Sequence, residues 1–188
     1  MNFYKERKKH PLVLNVPALL IVDVQSYFTD RESSAYLEGI ENIYENIKKL
    51  SERFLQKGYP VISTIHKGGA LQMQRWWGNK VDENWAKPYF KSNEYVYIIK
   101  DTYDAFYNTY LEKVLRLKNV TDIIITGVMT HLCCETTARS GFVRNFNVVM
   151  VEDALWDKDE FYHFLSLKSL AHGFAHICKT EEVLCKLE

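Results

Sequence analysis

The sequence predicts an α/β fold: a doubly wound, mainly parallel sheet of five to six strands with helices on both faces, in three layers. Three observations lead there. Short β-rich runs alternate with longer stretches of helical period. The first run, Ala18–Val24, is almost unbroken apolar sequence, as a strand covered on both faces requires. The length of 188 residues, 47% of them hydrophobic, suffices for one domain, 1–188, whose core needs no covalent staples.

Taken in order, Ala18–Val24 is the first strand. Ala35–Lys57 follows as a helix, with Leu37, Ile40, Ile43, Tyr44, Ile47, Leu50, Phe54 and Leu55 at helical spacing, and Gly58 stops it. Pro60–His66 is the second strand and Glu94–Ile99 the third, with a helix over Ala105–Leu117. Thr121–Thr126 is the fourth strand and Leu132–Arg144 the next helix. Asn147–Val151 is the fifth strand, Asp159–Phe174 a helix, Ala175–Cys178 a short sixth strand, and a small terminal helix starts at Glu181. Lys67–Asn93 (the 67–93 insertion) has little periodicity but holds Gly68-Gly69, Trp76-Trp77-Gly78, Trp85 and Pro88. Long irregular insertions in small domains tend to be functional, and this one is expected to wall a pocket.

Composition excludes several classes of function. A formal net charge of +0 removes the electrostatic case for nucleic acid or an anionic membrane as partner. The longest apolar runs, Pro17–Val22 and Asp122–Met129, fall far short of the ~20 residues that span a bilayer. Met1–His10 is basic but no apolar signal core follows, so residues 1–12 read as a solvated arm or a strap on a partner subunit. Four cysteines are too few for a disulfide framework, and a cytoplasmic location is the expectation.

In doubly wound sheets, ligands bind beyond the carboxyl ends of the strands. Three reactive side chains fall there: Asp23 in IVDVQ, Lys100 in VYIIKD, and Cys133 in ITGVMTHLCCETTAR. Each has an ordinary alternative: a helix cap or salt bridge for Asp23, a solvated lysine, a small core thiol for Cys133. Cys178 and Cys185 keep that last reading. Together the three form a coherent machine. A thiol attacks as thiolate, which a helix N-terminus and an ammonium stabilise, while a carboxylate takes the thiol proton or passes one to a leaving amine.

On these residues the chain resembles the isochorismatase-like cysteine hydrolases, a group that includes nicotinamidases, N-carbamoylsarcosine amidases and isochorismatases. LLIVDVQ, KDTYDAF, TGVMTHLCCETTAR, FNVVMVEDAL and GFAHICKTEEVL carry the resemblance over nearly the whole chain, the cysteine block most specifically. The resemblance implies that Asp23, Lys100 and Cys133 are the catalytic triad. It also implies a cis peptide at Val128–Met129 and an oxyanion hole from the backbone N–H groups of Met129 and Cys133. A small-molecule substrate, no cofactor and a homo-oligomer, dimer or tetramer, complete the expectation.

Isochorismatases are similar here but have glycine where this chain has Cys133, although His131, Cys134 and the Trp77-Gly78 pair match them. The thiol favours hydrolysis of an amide, ureido or related C–N bond through a thioester; vinyl ether hydrolysis by acid chemistry is the alternative. The nicotinamidase branch carries Asp and His metal ligands after the second strand. This chain offers only His66-Lys67-Gly68, so no metal is expected. Ser140-Gly141 stands where the family often has Asp-Ala, and Arg139 is either a substrate contact or a structural ion pair.

The substrate pocket is expected to draw on Gln25, Phe28, His66, Trp76, Trp77 and His131. The tryptophans, with Trp85 and Tyr89, suit either an apolar lid or a subunit contact. Outside enzymology, a non-catalytic small-molecule-binding member of the family fits the same fold. The adjacent Cys133-Cys134 lacks the spacing of a redox or zinc motif, and no Gly-rich phosphate loop follows any strand.

Overall fold

Two of the three strands that are buried along their whole length in the computed structural model, which describes Arg7 and residues 10–188, are β1 (Pro17–Val22) and β4 (Asp122–Val128). They lie side by side at the centre of a six-stranded, all-parallel sheet of order β3-β2-β1-β4-β5-β6. The others are β2 (Val61–His66), β3 (Val96–Lys100), β5 (Asn147–Trp156) and β6 (His176–Cys178). Alternate residues of β1 serve opposite faces. Ala18, Leu20 and Val22 join one core, with α4 (Leu111–Leu117), α5 (Glu135–Val143) and α6 (Glu160–Gly173) supplying Leu111, Ala138 and Leu167. Leu19 and Ile21 join the other, with α1 (Ser26–Thr29), α2 (Tyr44–Gln56) and α7 (Thr180–Lys186) supplying Phe28, Phe54 and Val183. Chain order reverses between β1 and β4, which opens a crevice beyond their carboxyl ends.

Some helices are shorter than their periodicity predicts. The segment predicted as one helix over Ala35–Lys57 begins only at a 3-10 turn, Ile40–Ile43, leading into α2. Gly39, at φ 78°, breaks it because Trp156 packs where a Cβ would stand, 2.7 Å from its Cζ2. At the other end Gly58 stops α2 in the left-handed region, Gly58 N–H donating to Leu55 O and Tyr59 N–H to Phe54 O. Ahead of α4, Thr109 Oγ donates to Ala105 O, Leu111 N–H donates to that hydroxyl, and Phe106 N–H donates to Asp104 Oδ1. These side chains take the groups a helix would pair, so Ala105–Tyr110 stays in turns.

The insertion is less irregular than expected. It contains α3 (Leu71–Trp77), with no buried residue, in a loop pinched shut by a two-way backbone pairing of Gly68 and Val81. Its far end is tied down by a bridge from Pro88 to Gln25 and by Tyr89, stacked on Tyr44 at 4.0 Å between centroids. The expected N-terminal arm falls partly on residues 1–6, 8 and 9, which lie outside the described ones. Arg7 within it binds Ile177 O and Glu182 of its own chain. Among the described residues no helix is long and apolar enough to cross a membrane.

Candidate active site

Four strand ends deliver the reactive groups. Asp23 follows β1 in a left-handed conformation (φ 52°), and His66 and Lys100 are the last residues of β2 and β3. Cys133 lies in a five-residue π-helical turn, Thr130–Cys134, that connects β4 to α5. It is therefore not at the start of an α-helix, as its sequence context predicts. The turn is entered through a cis peptide at Val128–Met129. Just before it, Gly127 (φ 107°) lets β4 press against β1: a Cβ there would lie 2.1 Å from Val22 O.

Lys100 is the hub. Its Nζ lies 2.7 Å from Asp23 Oδ2, 3.3 Å from Cys133 Sγ and 3.4 Å from His66 Nδ1, and it donates to Thr102 O at 2.8 Å. The Asp23 and Lys100 side chains have no exposed surface. Asp23 Oδ1 accepts from the Thr64 hydroxyl at 2.6 Å, and that hydroxyl accepts from Asp23 N–H, so β2 holds the carboxylate in place. Among the described residues, Asp23 Oδ2 has no hydrogen-bond partner apart from the facing ammonium.

The electrostatics depart from the expected resting thiolate. Burial drives the Asp23 carboxyl up, but the Lys100 and His66 charges and the Lys100 and Thr64 hydrogen bonds outweigh it and hold it below its ordinary value. Burial acts against the Lys100 ammonium, but Asp23 and Cys133 win and raise it above the usual lysine value. Burial pushes the Cys133 thiol up, and the neighbouring Asp23 carboxylate offsets the help from Lys100. The resting cluster is thus carboxylate, ammonium and neutral thiol. His66 is pushed down to about 4, mainly by burial and then by the Lys100 charge, and is neutral at pH 7.

Asp23, His66 and Cys133 also place ligand atoms within 4.8 Å of one another. The Lys100 ammonium touches all three residues and neutralises the one carboxylate, so a cation would compete with an internal charge already in place.

Above the cluster opens a cavity of about 430 Å³. Of the residues expected to wall it, Phe28, His66 and Trp77 do so, along with Met129 and Cys133. Gln25, Trp76 and His131 do not. Gln25 is fully buried, its amide bound to His66 N–H, His66 O and Trp85 O, where it locks the insertion to β2. Trp76 turns outward on α3 and is 75% exposed. His131 points away to Asp157, whose Oδ2 accepts from His131 N–H at 2.9 Å and lies 2.7 Å from Nδ1.

Sequence reasoning passed over several residues of the site. Thr64 was visible as a polar residue in an otherwise apolar strand, but its partner was not. Tyr103 donates no periodicity signal, yet its hydroxyl accepts from Trp77 Nε1 at 2.7 Å and so pins α3 over the cavity. Lys80 and Lys158 also line the wall, from segments far apart in the chain.

The comparisons agree with this architecture. Residues 17–182 match the sequence model of the Isochorismatase domain. Nicotinamidase 3 of Arabidopsis thaliana is 28% identical over 96% of this chain and 92% of its own. YrdC, an uncharacterized isochorismatase family protein of Bacillus subtilis strain 168, is 32% identical over 89% and 94%. A cysteine hydrolase from Pseudomonas syringae pv. phaseolicola 1448A superimposes with a TM-score of 0.89 at 26% identity, covering 95% of this chain and 97% of that one. The family match and the structural likeness agree: the chain belongs to the isochorismatase family and is one of its hydrolases.

Proposed function

We propose that this protein hydrolyses a small-molecule amide or ureide through a thioester on Cys133, with Asp23 and Lys100 as its partners. The observation that carries this reading is the Lys100 ammonium in contact with both Asp23 and Cys133 beneath an open cavity whose wall includes the Cys133 thiol. The similarity to a cysteine hydrolase and to a nicotinamidase supports it.

Because the resting thiol is neutral and Asp23 ionised, proton transfer accompanies attack rather than preceding it. Sγ bonds to the carbonyl carbon as its proton passes to Asp23, and the carbonyl electrons move onto oxygen. The Met129 and Cys133 N–H groups receive that oxyanion. On collapse the C–N bond breaks and Asp23 returns the proton to the leaving nitrogen, which departs as ammonia or an amine. Water then attacks the thioester, Asp23 takes a proton from it, and the acid is released as the sulfur recovers that proton. Lys100 stays charged throughout and keeps Asp23 and the sulfur within reach of each other. His66, neutral, contributes shape and hydrogen bonding rather than charge.

The test is ammonia release from a panel of primary amides and ureides, with intact-mass analysis of the quenched protein. Wild type should release ammonia and carry an acyl adduct that maps to Cys133. Cys133→Ala should lose both, and Asp23→Asn should slow acylation by about 10²- to 10⁴-fold. Ammonia release that survives Cys133→Ala would remove the nucleophile assignment.

A further inference from the structure

Among the described residues, the cavity over Cys133 carries charge of one sign only. Its wall includes two lysines, Lys80 from the insertion and Lys158 from the β5–α6 connection, and among the described residues no aspartate or glutamate. Neither forms an ion pair among the described residues, whereas Lys67 is paired with Glu83 and Lys100 with Asp23. Beneath the wall, Asp23 and Lys100 cancel each other, so the triad adds no net charge. The remainder of the lining is largely aromatic or apolar, with Phe28, Leu37, Met73 and Trp77 among it.

Lys158 is exposed at the cavity rim on a backbone that is tied down. Its backbone N–H donates to the buried Asp157 Oδ1 at 2.8 Å. Its ammonium sits 5.5 Å from the Tyr162 ring centroid, and that ring stacks on His131 at 4.4 Å. The stack leads back to the turn that carries Cys133, so the cation and the thiol share one support. Two ammonium groups without an ion-pair partner among the described residues, on segments remote in sequence, give a concave and mainly apolar wall a positive field.

We infer that the cavity selects amides or ureides that carry a carboxylate on an apolar or aromatic body, with Lys80 and Lys158 receiving the carboxylate while the scissile carbonyl faces Cys133. This rests on the cysteine-hydrolase reading of the same cavity. A carboxylate there makes charge-assisted hydrogen bonds, while a neutral amide of the same shape gains nothing from either lysine. A substrate bearing a positive charge is rejected by the same wall.

The probe pair is iodoacetate and iodoacetamide, of nearly one shape and differing in charge, with labelling of each cysteine followed by peptide mapping. Cys185 is exposed and outside the cavity, so it supplies the reference ratio within the same sample. The iodoacetate-to-iodoacetamide rate ratio at Cys133 should exceed that at Cys185 by about tenfold, the scale of one charged hydrogen bond. It should fall to the Cys185 value in a Lys80→Met/Lys158→Met variant and in high salt. A ratio no higher at Cys133 than at Cys185, or one the variant leaves unchanged, would overturn the inference.

Titration calorimetry with benzoate and benzamide separates this from failure of the mechanism. Tighter binding of benzoate, lost in the same variant, sustains carboxylate selection even if neither reagent labels Cys133, an outcome that would count against the thiol. No preference for benzoate rejects the selection while leaving the thiol chemistry intact.

Discussion

Lys100 shows how far one residue's role depends on its neighbours. A lysine buried beside a single carboxylate is stable only as half of a pair, and here it also bridges to the thiol. Lys100→Met removes the ammonium and leaves Asp23 buried, with the Thr64 hydroxyl still donating to its Oδ1 but no cation facing its Oδ2. The expected loss is about 3–5 kcal/mol of folding stability at pH 7, read from urea unfolding. A double variant, Asp23→Asn with Lys100→Met, should recover much of that loss because no orphaned charge remains. Equal stability of the two variants would show that Asp23 is protonated once its partner is gone. The strand-end positions of Asp23, Lys100 and Cys133 were legible in the sequence, since each ends or follows a short β-rich run. Their protonation states were not, because desolvation depends on every group packed around them.

Among the elements, the π turn Thr130–Cys134 decides where the sulfur stands, and it is held from outside itself. Thr130 Oγ donates to Trp156 O at 3.1 Å and lies 2.9 Å from His163 Nδ1, while Ser166 Oγ donates to Thr130 O. Asp157 holds the next residue through His131 N–H and Nδ1. Asp157→Ala removes two bonds to the turn and one to Lys158 N–H. It should cost about 1–3 kcal/mol and speed amide hydrogen exchange at His131. Exchange no faster than wild type would mean the turn supports itself. The sequence placed a helix from Leu132 onward and missed the π turn, because five residues are too few for apolar spacing to distinguish the two windings. The same limit applies to α3, whose exposed face carries no periodic signal, and to the turns before α4, where side-chain hydroxyls capture the backbone groups.

For the whole molecule, the buried site couples stability to pH. His66 titrates at about 4 in the fold against about 6.5 when unfolded, so the unfolded chain binds more protons between those values. Stability should therefore fall as pH drops from 6.5 to 4, by up to about 3 kcal/mol from this residue. Asp23, held below its ordinary value, extends the loss to still lower pH as its carboxylate is protonated. Urea midpoints measured across pH 4–7 should slope accordingly, and His66→Asn should flatten the slope above pH 4. An unchanged slope in that variant would assign the effect to other groups.

The amino-acid sequence alone determined the alternation of strands and helices, the near-continuous apolar runs of β1 and β4, and the placing of three reactive residues at strand ends. Those features are periodic or adjacent along one chain, and periodicity directly records which side of an element meets the core. Only the tertiary structure decided that Phe28, His66 and Trp77 face the cavity while Gln25, Trp76 and His131 do not. It also brought Lys80 and Lys158, 78 positions apart in the chain, to one wall. Such outcomes depend on distances between segments remote in sequence, and on how far each charge is shielded from water. Neither quantity is written in local pattern.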